Sequence, residues 1–549
     1  MTIGSRSSEK ANPPPAGRWL IPSIGDLIFV ALLGLLGFTN LSVRLLGDAG
    51  IGWHIRTGQL ILATHSIPRV DPFSSTMAGH PWFAWEWLYD VFVGWLDSVA
   101  GLNGVVFLTA AIIALTFSWS FSLLLQRGAN FLVALGLVLL AASAAMIHFL
   151  ARPHVVSWLF AVLWFWILES SQKKQPGSFA EAGQGWLLWL IPLLTLVWVN
   201  AHGGFLLGFA LLGIYWLSAV WDYFGLKDDR LEDVVEKIRA GKRARKLALI
   251  GVLSTLATLV NPYGWRLHVH IYRYLSNRFL MDHIDEFQSP NFHGTAQKCF
   301  ALLLLLTLIV FATKRRGRSD FTTSELLLTL FAVYSGLYAS RNIPVSALLL
   351  ILVIGPRLSN ALQPLQELWA GWRVASRSQA TTSPDFFHRM QVIESSLHGH
   401  LWPVAAIVLT CWITFHGGKL GVTQVMDAHF DSKRFPADAI TYLESQNAEG
   451  PVFAPDNWGG YLIYRVYPQI KAAVDDRHDF YGEQFLKSYL KLVHVEPGWK
   501  NFLQQYPVRY VVSPKGSALA SILAESAIWQ PVYSDQVAVI FVLAKPTTR

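Results

Sequence analysis

Long apolar runs constrain this chain more than any other feature. About eleven of them approach the length needed to cross a hydrocarbon core of roughly 30 Å. They fall at 23–46, 102–126, 130–150, 155–171, 186–200, 205–224, 247–262, 300–313, 324–340, 345–356 and 400–415. A backbone in lipid must satisfy its own hydrogen bonds, so runs of this length read as helices. The expected fold class is a polytopic α-helical membrane protein carrying a C-terminal extracytoplasmic α/β domain. Composition agrees: 15% of the 549 residues are charged, against about a quarter in soluble domains. Cys299 and Cys411 both sit inside apolar runs, which excludes a disulfide framework. Residues 1–22 lack the apolar core and small-residue cleavage site of a signal peptide and read as a cytoplasmic tail.

The net charge of +8 comes from Lys and Arg concentrated in short loops between apolar runs. That is a topology signal, and nucleic acid is not an expected partner. One run, 82–100, is ambiguous, because it carries Glu86, Asp90 and Asp97 among Trp82, Trp85, Trp87 and Trp95. Counted as a span, it would put the basic loop 227–246 outside, against the positive-inside rule. Read as an interfacial helix held by its tryptophans, it places Arg127, Lys173, Lys174, the 242–246 cluster, the basic 314–318 stretch and Arg357 in the cytoplasm. The domain reading follows: a tail at 1–22, a multi-span domain at 23–418, and an extracytoplasmic α/β domain at 419–549. Within the multi-span part lie a first outer loop at 47–101, a second at 263–296, and a cytoplasmic linker at 357–399. The linker stretch 363–396, with Arg373, Arg377 and Arg389, reads as solvated, with a basic edge toward lipid headgroups.

The same parity gathers the chemically varied loops on the outer side. Asp48 stands in GDAGIGWHIR, where residues 53–64 read as a weakly amphipathic helix able to lie in the interface. Asp71 and Glu86 follow in the first loop. Arg152 and His154 stand in ARPH, His202 in NAHGG, Arg266, His268 and His270 after NPYG, His293 in SPNFHG, and Arg341 in SRNIP. Ionisable groups near bilayer depth are costly and generally face a protein-lined cavity. Arginines suit phosphate oxygens, and a carboxylate suits the proton of an attacking hydroxyl. Such a cavity fits transfer from a lipid-phosphate donor whose tail stays in the membrane. P-loop, GxSxG and dinucleotide fingerprints are missing. A metal site through Asp48, Glu86 or a histidine stays open, with no HExxH or His-x-His spacing to define it.

These residues resemble the GT-C superfamily of membrane glycosyltransferases, with a catalytic acid just after the first span and a long first outer loop. GWHIRTGQLIL, VDPFS, ARPH, NAHGGFLLG, NPYG and DNWGGYLIYR are similar to a bacterial set of proteins assigned to that superfamily. The resemblance implies a polyprenyl-phosphate-linked sugar as donor and a lipid, glycan or protein as acceptor. It also implies inversion at the sugar and a place in the bacterial cytoplasmic membrane. It maps the catalytic acid onto Asp48. The more usual adjacent pair of acids is replaced by Asp48-Ala49, which leaves a divalent metal, Mg or Mn, as an open cofactor. Arg152, Arg266 and Arg341 are candidates for the donor phosphate, His54, His154 and His202 for orientation or sugar contact, and Glu86 for a second carboxylate.

From about Lys433 the pattern turns to short strands and helices. PDNWGGYLIYR and DDRHDFYGE read as loops after strands, with Gly459 and Gly460 available for a turn. They bring Trp458, Asp476 and Arg477 forward as sugar-binding candidates, since aromatic faces and carboxylates suit pyranoses. DNWGG is weakly similar to the WWDYG acceptor-recognition region of oligosaccharyltransferase catalytic subunits, which implies a domain that covers the cavity. Two other functional classes compete: a transporter or flippase of lipid-linked saccharide, which would favour internal repeats and mid-membrane polar groups, and a non-catalytic envelope assembly protein.

Overall fold

The computed structural model describes residues 20–172, 185–226, 230–313, 321–375, 394, 397 and 399–544. Lys173, Lys174, the basic stretch 314–318, Arg377, Arg389 and the first 19 residues of the tail lie outside the described residues. Each of the apolar runs carries a helix. Among the described residues, five helices are long and apolar enough to cross a membrane: Trp87–Gln126, Phe131–His148, Phe205–Gly225, Thr295–Ala312 and Ser340–Leu362. Four shorter apolar helices accompany them, Ile24–Phe38, His154–Ser170, Gly185–Ala201 and Leu401–Phe415.

Local signals set their ends. Ser23 and Asp26 form a capping box that opens Ile24–Phe38, and Thr322 with Glu325 does the same for Thr323–Tyr338; such reciprocal bonds satisfy donors a helix start leaves free. Loops sort cleanly between the two ends of the bundle. At one end Arg127 pairs with Glu169 and Glu325, and Arg357 pairs with Glu325. The loops holding Asp48, Glu86, Arg152, His202 and Arg341 meet at the other.

The run 82–100 supplies the first part of the Trp87–Gln126 helix, which breaks at Gly101 with φ 60°, a conformation glycine adopts at little cost. Its tryptophans do not form a surface belt. Trp82 is buried, the Trp87 indole donates to Asn200 Oδ1 at 2.8 Å, and Trp95 alone of the four is exposed. The following difference is larger. Gly50–Thr64 is not a lone surface helix; it is packed between the start of Trp87–Gln126 and the helix Asp456–Val466 of the C-terminal region. Glycines make the contact. A Cβ on Gly58 would overlap the Asp90 carbonyl, and one on Gly52 the Gly460 carbonyl. DNWGG is therefore the first turn and a half of a helix, not a turn.

The C-terminal region builds a four-stranded sheet. Val452–Phe453 runs parallel to Tyr510–Pro514, which pairs antiparallel with Ala538–Leu543, itself antiparallel to Trp529–Ser534. The stretch KAAVD, residues 471–475, forms no named strand and contributes only isolated bridges at Ala472, to Val452 on one side and to Ser74 of the first loop on the other. The first loop is thus tied to the edge of this domain. Ser75 N–H donates to the Ala472 carbonyl at 2.9 Å and Thr76 Oγ1 to that of Ala473 at 2.6 Å.

Candidate active site

Asp48 follows the first apolar helix, and the ARPH turn is laid against it by a backbone bond from Ala151 N–H to the Leu45 carbonyl, 2.7 Å. That bond sets Arg152 over Asp48. Arg152 Nη1 lies 3.0 Å from Asp48 Oδ2, and its Nη2 lies 3.5 Å from Asp476 Oδ2. The other Asp48 oxygen accepts from Gly50 N–H at 2.8 Å, and Asp476 Oδ1 accepts from the Trp53 indole at 2.9 Å. Burial alone would lower the basicity of Arg152, but Asp48 and Asp476 hold it charged. Asp476 is pushed above the usual carboxylate range by burial, against the pull of Arg152. About a quarter of each of the Asp48 and Arg152 side chains stays open to solvent. An ion pair reachable from outside is one a ligand can rearrange.

Behind this pair lies a second layer. Glu86, at the N-cap of Trp87–Gln126, stands between two imidazoles, with Oε1 3.6 Å from His202 Nε2 and Oε2 3.8 Å from His54 Nε2. His54 Nδ1 is 2.6 Å from Asp90 Oδ1 in a fully buried contact. Burial pushes Glu86 up to about 8, while Arg152 pulls the other way. Burial also holds His202 neutral, down to about 3, assisted by Arg341 and Arg152. A third group closes the site: Glu286, lowered to about 2 because Arg341 and Arg152 outweigh its burial, pairs with Arg341 at 3.4 Å.

The sequence candidates divide accordingly. Asp48, Arg152 and Asp476 form the first layer, and His54, Glu86 and His202 the second. Arg341 faces the same site through Glu286. His154 ties the ARPH turn instead, its Nε2–H donating to the His148 carbonyl at 2.8 Å. Arg266 is exposed on the helix Trp265–Leu275 and shares none of the contacts that join the others.

Trp458 and Arg477 do not present the sugar-facing groups expected of them. Trp458 is buried, with its indole N–H on the Arg434 carbonyl. Arg477, only 2% exposed, is spent between Asp71 at 2.8 Å and Asp475 at 2.7 Å. Glu286, Asp479 and Ser157 join the site without having been singled out, through Arg341, Glu86 and His202 respectively, and Asp90, named in the same loop as Glu86, had been given no role. Asp90 had a signal, being an acid four residues after Glu86 and so on the same helical face. For a divalent metal the donor set is poor. No group of three His, Cys, Asp or Glu placed to hold an ion occurs among the described residues, and the Arg152 guanidinium lies between Asp48 and Asp476.

No family model matches the sequence, and neither does any curated protein. Solved structures do match. The chain superimposes on the apo oligosaccharyltransferase of Archaeoglobus fulgidus with a TM-score of 0.53 and 12% identity, over 95% of this chain and 74% of that one. The same archaeal enzyme, AglB, in complex with an inhibitory peptide and a dolichol-phosphate gives 0.53 and 12%, over 89% and 68%. ArnT from Cupriavidus metallidurans bound to undecaprenyl phosphate gives 0.48 and 15%, over 94% and 97%. At this identity the likeness is one of fold. The chain shares the fold of the archaeal oligosaccharyltransferase.

Proposed function

We propose that the chain is a membrane glycosyltransferase that moves a sugar from a polyprenyl-phosphate carrier to a lipid, glycan or protein acceptor on the outer face of the bacterial cytoplasmic membrane. One observation carries the reading: a part-exposed arginine held between two carboxylates where loops of the helical bundle meet the C-terminal domain. A phosphate arriving at Arg152 competes with Asp48 for the guanidinium. Its binding frees the Asp48 carboxylate in the same step. Asp48 then takes the proton of the acceptor group as that group attacks the anomeric carbon, and the bond to the phosphate oxygen breaks with its electron pair on the phosphate.

Two further features support this assignment. An apolar groove of about 460 Å³, lined by Trp87, Leu88, Leu196, Val197, Val260 and Pro262 among others, runs over the start of the Trp87–Gln126 helix and suits the carrier's hydrocarbon tail. Asp48, Glu86, Arg152, His202 and Arg341 meet at one end of the bundle and are not strung along its length, which favours a reaction site over a through-membrane path. The archaeal enzyme of the same fold was solved with a dolichol-phosphate.

The test is Asp48→Asn in the full-length protein reconstituted in liposomes with polyprenyl-phosphate-linked sugars. Loss of the base should lower turnover by about 10²- to 10⁴-fold while binding of the lipid-linked donor persists. Full turnover by the variant removes Asp48 from the chemistry. No consumption of any lipid-linked sugar by the unmodified protein removes the transferase reading itself.

A further inference from the structure

The helix Trp265–Leu275 takes no part in the site, yet its two sides differ sharply. Leu267 and Ile271 are buried against the protein, whereas Trp265 and Tyr272 stand 65% and 72% exposed, with Leu275 exposed beside them. Arg266 and Arg273 are exposed as well, and neither side chain has an ion-pair or hydrogen-bond partner among the described residues. Three large apolar groups and two cations are left uncovered on eleven residues.

Two histidines fix how the helix sits. His268 Nε2 lies 2.9 Å from Thr258 Oγ1, at the end of Leu231–Thr258, and its ring meets Phe205, the first residue of one of the helices long enough to cross a membrane. Two residues on, and so about 200° round the helix, His270 faces the other way. Its Nε2 is 2.9 Å from Asp479 Oδ2 of the C-terminal domain, and its ring stacks on Phe83 of the first loop at 4.5 Å. The helix therefore runs along the boundary between bundle and domain.

Around that axis the exposed groups sort by chemistry. Tyr272 and Leu275 follow His268 by four and seven residues and share the bundle side, and Trp265, seven before Tyr272, stands with it. Arg266 and Arg273, four before and three after His270, share the domain side. The apolar edge continues a stripe of the bundle itself. Leu249, Val252 and Leu256 are exposed on one face of Leu231–Thr258, and the exposed Leu259 and Val260 carry that stripe to within five residues of Trp265.

We infer that Trp265, Tyr272 and Leu275 lie in the lipid leaflet at the site's end of the bundle, and that Arg266 and Arg273 bond the phosphates of anionic phospholipids there. Two observations name lipid as the occupant. The first is the unbroken stripe, since exposed apolar residues on a helix of a membrane bundle face acyl chains. The second is the order of the groups, apolar and aromatic toward the bundle and cationic toward the domain, which is the order of a leaflet from chains to phosphates. Seven residues of helix set the arginines about 10 Å apart, so each meets its own headgroup. Basic loops belong to the opposite end of such a bundle, and phosphate supplies the partner these two lack. The assignment does not depend on the reaction proposed above. Pro262, in the lining of the apolar groove, precedes Trp265 by three residues, so the same contact holds that end of the groove at headgroup depth.

The test uses the full-length protein in phosphatidylcholine liposomes, with a nitrobenzoxadiazole fluorophore on Tyr272→Cys in a Cys299→Ala, Cys411→Ala background. The label should be quenched by nitroxide-labelled lipids and shielded from aqueous iodide. A label on Ile528→Cys, exposed in the C-terminal domain, should show the reverse. Trace nitroxide-labelled phosphatidylserine should quench the label at 272 more than the phosphatidylcholine analogue, a preference of about fivefold for each arginine. In Arg266→Gln with Arg273→Gln the preference should vanish while the shielding from iodide persists. A label at 272 that iodide reaches, or one shielded from iodide and lipid alike, overturns the leaflet assignment in favour of water or a protein partner. A serine-headgroup preference that is missing, or that survives both arginine substitutions, overturns the phosphate contacts.

Discussion

At Arg152 one guanidinium serves two carboxylates, 3.0 Å from Asp48 and 3.5 Å from Asp476. The planar fork can address both while presenting its remaining edge to a ligand, and an ammonium cannot. Arg152→Lys should therefore lower turnover by about 10²- to 10³-fold and weaken binding of polyprenyl phosphate, although charge is conserved. A flotation assay with lipid-phosphate vesicles separates the two effects. Two members of this triad are legible in the sequence, because charge parity puts GDAG and ARPH at the same membrane depth. The arrival of Asp476 is not legible. It is 428 residues from Asp48, and its position depends on how a separate domain docks. His54 and Asp90 illustrate the same limit at shorter range, since only the packing of two helices turns one toward the other.

Three helices that meet at glycines carry that docking. Gly52 of Gly50–Thr64 meets Gly460 of Asp456–Val466, and Gly58 meets Gly94 of Trp87–Gln126, with the backbones close enough to exclude any Cβ. Inserting one into such a contact forces backbone shifts that cost about 1 to 3 kcal/mol. Gly52→Ala and Gly58→Ala should each lower the thermal unfolding midpoint of the purified protein. Gly136→Ala is the informative contrast. Its Cβ would meet nothing within 4 Å, so the gain in helix propensity, about 1 kcal/mol, should leave the midpoint unchanged or raised. Here the sequence is misleading for a physical reason. Residues 53–64 read as a helix able to lie in the interface and Gly459 and Gly460 as available for a turn, because glycine signals flexibility until a partner backbone is present to use the missing side chain. The apolar helices, whose signal is internal to each run, have no such ambiguity.

Across the whole molecule the first loop and the C-terminal domain are joined by a buried ion triad. Arg477 reaches Asp71 of the loop and both oxygens of Asp475 in its own domain, with every member at most 2% exposed; Tyr481 donates to the same Asp475 oxygen as Arg477 Nη2, and Ser74 donates to the second oxygen of Asp71. The clamp positions Asp476, its immediate neighbour, over Arg152. Arg477→Met would leave two carboxylates buried without a cation, a change that costs about 3 to 5 kcal/mol. The expected result is a domain that separates from a helical bundle that stays folded, read as new protease cleavage between residues 416 and 433 without loss of helical circular dichroism.

Acid should act on the same joint from the other partner. Burial alone would raise Asp71, but Arg477 and the Ser74 bonds bring it below its ordinary value of 3.8. A carboxylate depressed on folding stabilises the folded form above its unfolded pKa, and that contribution is lost as pH falls through the lower, folded value. Protection of 416–433 should thus be complete at neutral pH and fail only below about pH 3.8. In Asp71→Asn, which cannot ionise, part of the protection should already be lost at pH 7, with no further acid transition from this site. Cleavage that is equal in the two proteins at pH 7 would mean that the clamp does not hold the domain on the bundle, and the placement of Asp476 would then need another cause.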